Sequence, residues 1–329
     1  GGRAMIQVMD RFEEEKETMA AAYAAKMDQM MGKNKDVMEL EADLGVCLMG
    51  PGMKDIAKRH PGQLVNCGIQ EANMVGVACG LSMTGKIPFL HSFAPFITRR
   101  ANDQIFISGC YSGANIRLVG SDPGVMAAYN GGTHMPFEDV AVLRAFPEIT
   151  ILEPSDNTML TDLMEQLTEK KGVYYLRTAR KMMKKIYKDG SDFQIGKANI
   201  IREGRDVTII ASGIMVAEAL AAAELLEKEE ISARVVDMFT IKPIDKEMII
   251  NCARATGAIV TAENHNIING LGSAVCEVVT ENCLVPVERV GVQDCFGEVG
   301  DIPYLMKRFH LTADDICGKA RAAIARKRG

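Results

Sequence analysis

Glu71 opens the run "EANMVGVACGLSMTG" (71–85), in which nearly every later residue is small, apolar or sulfur-bearing. A carboxylate at the first position of such a segment admits two readings. It complements the helix dipole and caps free backbone N–H groups, or it handles a proton in an apolar pocket, where the neutral carboxyl is favoured. The local sequence leaves both open. Phe93 and Phe96, in "HSFAPFITRRANDQ" (91–104), follow a strand-like run within one turn and are spaced either to face a ligand or to pack a core. In "YNGGTHMPFED" (129–139) two glycines permit a tight turn that brings His134 to a strand-to-helix mouth, a position suited to proton transfer.

Other chemistries leave weaker traces. "NGLGSAV" (269–275) approximates the dinucleotide-binding glycine pattern, but Val275 stands at the third glycine and the preceding loop is long, so it reads as a tight helix entry. The chain has no G-x-x-x-x-G-K-[ST] loop, no G-x-S-x-G elbow and no H-E-x-x-H helix. His60, His91, His134, His265 and His310 include no pair at metal-ligand spacing, so no metal held by this chain alone is expected. Nine cysteines without a C-x-x-C pair read as free thiols of a reducing cytoplasm.

Strand-like runs at 36–44, 63–68, 87–93, 115–122, 149–156 and 173–180 alternate with helical ones near 53–60, 71–84, 96–109, 137–145 and 156–170, after an amphipathic first helix at roughly 10–33. Such alternation predicts a mainly parallel α/β sheet covered on both faces, with ligands at the carboxyl ends of its strands. The polar stretch from 181 reads as a crossing between domains. A second α/β series follows, with strands at 206–213, 232–239, 257–264 and 286–294 and helices at 214–228, 245–255, 271–281 and 313–326, the last opened by Thr312. The expected organisation is one domain over 8–180, a linker over 181–204 and a smaller α/β domain over 205–329.

With 329 residues and 47% hydrophobic content the chain fills two cores. A net charge of −5, with basic residues scattered among acidic ones, supplies no field for nucleic acid. No apolar run reaches the ~18–20 residues of a membrane span, and no signal-peptide pattern stands at the start. Gly1–Ala4 reads as a tag remnant.

Glu71 in "GIQEANMVGVACGLSMTG", the run "SFAPF" and "GGTHMPFEDVAVLRAFPEITILEPSD" follow one another as in the thiamine-diphosphate-dependent transketolase family, and the likeness continues through "GRDVTIIASGIMVAEAL", "SARVVDMFTIKPID", "GAIVTAENHNIINGLGSAV" and "VGVQDCFGEVG". The chain resembles that family's C-terminal half, a pyrimidine-binding domain followed by the transketolase C-terminal domain. The resemblance implies that Glu71 hydrogen-bonds N1′ of the cofactor's aminopyrimidine and favours the tautomer whose 4′ nitrogen takes the thiazolium C2 proton. It implies that Phe93 and Phe96 pack on the pyrimidine and that Asp43, in "EADL", lies near the cofactor. His134 would face C2 and the sugar hydroxyls, and Arg177, in "YYLRTAR", would hold a sugar phosphate.

The departures gather on the sugar side. Asp122 stands where many transketolases have a histidine, Asn130-Gly131 replaces an acidic pair, Met19 aligns with a common arginine, and Arg99 replaces an aromatic residue. Asp122 and Asn130 are therefore expected at the place where the substrate is chosen.

The family's diphosphate and Mg²⁺ are held by a separate domain with a G-D-G motif and a downstream asparagine pair. Only Gly300–Asp301 followed by Ile302 approximates it here. The resemblance therefore implies the C-terminal subunit of a split transketolase that transfers a two-carbon ketol unit between sugar phosphates. Its cofactor would be shared with an N-terminal partner subunit that holds the Mg²⁺, in a heterotetramer built on a homodimer of this chain. The rival readings are the β subunit of a 2-oxo acid dehydrogenase, which "GGTH" and "FTIKPID" disfavour, and a catalytically silent assembly subunit, which Glu71, both phenylalanines and His134 together disfavour.

Overall fold

A computed structural model describes residues 6–328; the Gly1–Ala4 lead lies outside the described residues. The first sheet contains strands β1 (Val37–Glu41), β2 (Leu64–Asn66), β3 (Ile87–Phe93), β4 (Ile116–Ser121), β5 (Ile149–Leu152) and β6 (Val173–Thr178). The second contains β7 (Asn199–Arg202), β8 (Val207–Ala211), β9 (Ala233–Asp237), β11 (Ile259–Asn266) and β12 (Val287–Val292), while β10 (Thr240–Lys242) crosses back to the first. The orders are β10-β5-β6-β4-β3-β1-β2 and β12-β11-β8-β9-β7. All pairings are parallel except β10 on β5 and β7 on β9. Every residue of β1, β4, β6 and β8 is buried, as a sheet covered on both faces requires.

The helices in chain order are α1 (Met19–Lys33), α2 (Gly45–Met49), α3 (Met53–Arg59), α4 (Glu71–Met83), α5 (Ala94–Arg99), α6 (Asn102–Gln104), α7 (Asp139–Arg144), α8 (Asn157–Glu169), α9 (Met215–Glu227), α10 (Lys246–Thr256), α11 (Leu271–Asn282), α12 (Ile302–Arg308) and α13 (Ala313–Arg328). Several starts carry side-chain caps: Thr18 accepts from the Ala21 N–H, Asp156 from Met159 and Asp245 from Met248. At α13, Thr312 and Asp315 bond each other's backbone N–H reciprocally.

Three expectations change. The first helix begins at Met19 rather than near residue 10, because Val8 and Glu14 bridge to Tyr187 and Lys184 as extended chain. The helix expected over 96–109 is broken: α5 ends at Arg99, α6 is one turn, and Ile105–Tyr111 winds as a π-helix.

The linker expected over 181–204 is instead a docked segment. Met183, Ile186, Tyr187 and Phe193 are buried in it, Asp156 Oδ2 accepts the N–H groups of Ile186 and Tyr187 at 2.9 and 2.8 Å, and its end is β7. Polar composition concealed this because the apolar anchors are few among lysines and aspartates. Strand β10 then returns chain to the edge of the first sheet. One apolar core runs through both sheets, joining Phe89 and Leu176 to Ile209, Val235 and Phe239.

Candidate functional site

The first sheet presents its carboxyl strand ends beside α4 and α5, where four of the expected residues converge. Glu71 is the first residue of α4 and is only 2% exposed. No side chain of the preceding Gln70 caps the helix. The Glu71 carboxylate points instead to Ser92 Oγ, which donates at 3.2 Å, and to Arg100 Nη1, which lies 3.1 Å from both oxygens. The apolar pocket expected around it is thus closed by a guanidinium.

Phe93 ends β3 and Phe96 sits three residues on in α5, so one turn brings both rings to the same place. Their centroids are 5.8 Å apart, edge to face, and His134 joins both at 5.4 and 4.9 Å. Arg100 lies 3.8 Å over Phe96 and Arg180 lies 4.7 Å over Phe93, so each outer ring face carries a cation. A planar N–H-bearing group, the Arg100 guanidinium, thus lies between Phe96 and Glu71.

His134 ends a short 3₁₀ turn, Gly132–His134, with Nδ1 at 2.9 Å from Thr133 Oγ1. Burial first, then the nearby Arg100, Arg180 and Arg99, hold its pKa below the usual value of 6.5, which leaves the ring neutral at pH 7. The turn is pressed from the second domain. Gly131 adopts φ +74°, and a Cβ on Gly132 would stand 2.4 Å from the Gly297 carbonyl oxygen. The loop around Gly297 thereby fixes where His134 points.

Asp122 is fully buried with φ +53°. Its Oδ1 accepts the Arg180 backbone N–H at 2.7 Å and its Oδ2 accepts Arg180 Nε at 2.6 Å. The expectation that Asp122 meets substrate is corrected: it positions Arg180, which also reaches Cys47 Sγ at 2.8 Å. Asn130 is exposed on the turn ahead of His134. Asp43, also exposed, follows β1 at φ +60° and accepts from Asn66 Nδ2 at 3.0 Å.

Arg177 overturns a second expectation. Its side chain has no exposure, and it donates to Asp139 through Nε and Nη2 at 2.8 and 3.0 Å, to Glu153 at 2.5 Å and to the Asn264 carbonyl at 2.8 Å. Burial opposes its charge, but Asp139 and Glu153 more than restore it. Four of its five donors are taken, so it ties the first sheet to β11 rather than holding a phosphate.

Sequence reasoning missed Arg100 and Arg180. The signal for Arg180 was present, since Arg177 lies within β6 while Arg180 lies just beyond its carboxyl end, where ligands bind in open parallel sheets. Arg100 had no such signal, because its direction depends on the break after α5. Among the described residues no group of three His, Cys, Asp or Glu side chains is placed to hold a metal ion, and no helix is long and apolar enough to cross a membrane.

Comparison with known proteins agrees with this architecture. Residues 15–185 match the family profile for the transketolase pyrimidine-binding domain, and residues 196–316 match that for the transketolase C-terminal domain. The 6-deoxy-6-sulfo-D-fructose transketolase subunit SqwH of Clostridium sp. (strain MSTE9) is 47% identical over 295 residues, covering 90% of this chain and 91% of its own. One subunit of the apulose-4-phosphate transketolase of Phocaeicola vulgatus is 35% identical, covering 89% of this chain and 93% of its own. A solved split-gene transketolase, described as an inactive beta4 tetramer, superposes with a TM-score of 0.87 at 38% identity, covering 95% of this chain and all of its own.

Proposed function

This chain belongs to the transketolase family and corresponds to its C-terminal half, and from that premise we propose that it is the pyrimidine-binding subunit of a split, thiamine-diphosphate-dependent transketolase. The observation that carries the reading is the convergence of Glu71 with Phe93, Phe96 and His134 at the sheet's carboxyl edge. The enzyme moves a two-carbon ketol unit between anionic sugars in the cytoplasm. When bound, the cofactor supplies the acidic thiazolium carbon to which that unit passes.

The chain's own residues place and protonate. Glu71 holds a proton at the ring nitrogen N1′, with Ser92 fixing the carboxylate from behind. Phe93 and Phe96 offer flat apolar faces to the pyrimidine. His134, neutral at pH 7, takes or gives a proton at a donor hydroxyl. Arg180, aimed by Asp122, holds the sugar's anionic end, the task once expected of Arg177. Asp43 lies on the cofactor side and Asn130 on the substrate side.

Diphosphate and Mg²⁺ fall to an N-terminal partner subunit, in a heterotetramer built on a dimer of this chain. Three features support a partner. Two of the relatives are named as subunits, one solved relative is an inactive tetramer of its β chain alone, and α4 leaves one face uncovered. On that face Asn73, Gly76, Val77, Gly80 and Met83 are exposed, and nothing approaches within 4 Å of a Cβ built on either glycine. Glu71 begins the same helix, so a chain docked there would close the site.

The test is reconstitution. The chain alone should bind thiamine diphosphate poorly and transfer no ketol unit; with its partner it should use sugar phosphates or a sulfonated ketose as donor and ignore pyruvate-type acids. Glu71→Gln should fold normally and lose activity in the complex. Full activity of that variant, or tight Mg²⁺-dependent cofactor binding by the isolated chain, would sink the reading.

A further inference from the structure

Three arginines surround the His134 cluster, and each is matched by a carboxylate. Arg99 pairs with Glu138 at 3.0 Å, Arg100 with Glu71 at 3.1 Å and Arg180 with Asp122 at 2.6 Å. With His134 neutral, the formal charge of the group is zero. A surface built to attract an anionic donor is expected to carry an excess of positive charge, and this one holds its cations in balance.

The three pairs are not equivalent. Asp122 is bonded to the Arg180 backbone as well as to its side chain, and Glu138 also accepts the Phe137 N–H. The Arg100–Glu71 pair joins a side chain that is 46% exposed to one that is 2% exposed. An ion pair with so exposed a cation is readily broken, whereas a buried carboxylate left bare costs several kcal/mol. Glu71 therefore needs some partner at all times, and Arg100 is the kind of partner that can leave.

Arg100 also stands where a ring would have to lie. Its guanidinium is 3.8 Å from the Phe96 centroid, a stacking distance, and its Nη1 reaches both Glu71 oxygens. A flat plate with an N–H edge, on Phe96 and against Glu71, describes the aminopyrimidine equally well. The two cannot share the space.

We propose that Arg100 is a displaceable stand-in for the pyrimidine ring, and that its release turns the guanidinium from the buried Glu71 carboxylate towards the mouth, at unchanged net charge, so that cofactor binding creates the attraction for an anionic donor. The inference rests on Glu71 being the pyrimidine's partner. Arg100 is then a specificity and ordering device: it keeps the buried carboxylate partnered before the ring arrives, and joins Arg99 and Arg180 in facing the donor afterwards. A neutral sugar would gain nothing from this exchange.

The test uses the complex of the chain with its partner subunit, and two uncharged or simple probes. 4-Amino-5-hydroxymethyl-2-methylpyrimidine is titrated by NMR at low salt into the wild type, Arg100→Met and Glu71→Gln. Methanesulfonate is then titrated with and without saturating pyrimidine. Removal of the competitor should tighten pyrimidine binding in Arg100→Met by about fivefold, a change appropriate to a half-exposed ion pair. Saturating pyrimidine should tighten sulfonate binding severalfold in the wild type and leave it unchanged in Arg100→Met. Pyrimidine binding that is equal or weaker in Arg100→Met, or sulfonate binding indifferent to pyrimidine in the wild type, overturns the inference and leaves the Glu71 reading intact. Absence of pyrimidine binding in all three proteins, or undiminished binding in Glu71→Gln, overturns both.

Discussion

Asp122 holds Arg180 at two points, taking its Nε–H at 2.6 Å and its backbone N–H at 2.7 Å, while the same guanidinium covers the Phe93 ring. The fork cannot swing away without breaking a buried carboxylate's contacts. Arg180→Lys keeps the charge and loses the fork, since a single ammonium cannot bond Asp122 and an anion in the same plane. KM for an anionic sugar donor should rise about tenfold, ~1.4 kcal/mol of binding, with kcat changed less than twofold. A fall in kcat at unchanged KM would move Arg180 from substrate holding to the chemistry itself.

Arg177 should behave in the opposite way. It is enclosed with Asp139 and Glu153, so Arg177→Met leaves two buried carboxylates facing each other. Loss of one partner from a buried ion pair costs about 3–5 kcal/mol, and denaturant unfolding of the isolated chain should show a loss of this size. Whatever fraction folds should bind an anionic donor with nearly wild-type KM. Adding Asp139→Asn and Glu153→Gln should recover part of the stability.

Asp237 sets a pH dependence. Its Oδ2 accepts from the Ser155 and Tyr187 hydroxyls while its Oδ1 has no hydrogen-bond partner, and burial raises its pKa from 3.8 to about 7. A carboxyl with a raised native pKa binds more protons folded than unfolded. Its stabilising contribution is complete below the unfolded value and is lost as pH rises through the native one. The two values correspond to at most ~4 kcal/mol. Asp237→Asn should remove this downward slope of unfolding free energy between pH 4.5 and 7.5, read by urea titration at several pH values.

The exposed glycines of α4 should separate folding from assembly. Gly76→Ala adds a methyl group into open space and relieves the helix of a poor helix former, so the isolated chain should gain about 0.5–1 kcal/mol. Association with the partner should weaken at the same time, because the methyl stands on the face where that chain is proposed to dock. Sedimentation of the mixed subunits measures the second effect, and unchanged affinity would place the partner elsewhere.

The sequence was most informative where burial is periodic. β3 runs from 87 to 93 as expected, and the other nine expected strands overlap their observed positions. Runs such as "NIRLVGSD" and "DVTIIASG" are buried on both faces and bounded by turn residues, which leaves little freedom. β10 and β7 escaped because each is an edge strand of three or four residues with too few positions to show a period. At the site, Glu71, Phe93, Phe96 and His134 were legible because turns of fixed length set their spacing. The error at Arg177 came from two arginines three residues apart around a strand end, where a small change of position separates the core from the mouth. Arg100 was invisible for a different reason. Its role depends on a helix that stops and restarts, and no residue type announces that.

β10 belongs by sequence to the second domain and by hydrogen bonding to the first sheet, where it covers the edge of β5. Cutting the gene in the segment before β7 would strip β5 of its guard and expose an unsatisfied, adhesive border, while the severed piece would carry a strand with nowhere to pair. The two sheets are thus distinct in order and tied at one edge. A separation between these two sheets would leave two pieces prone to clump.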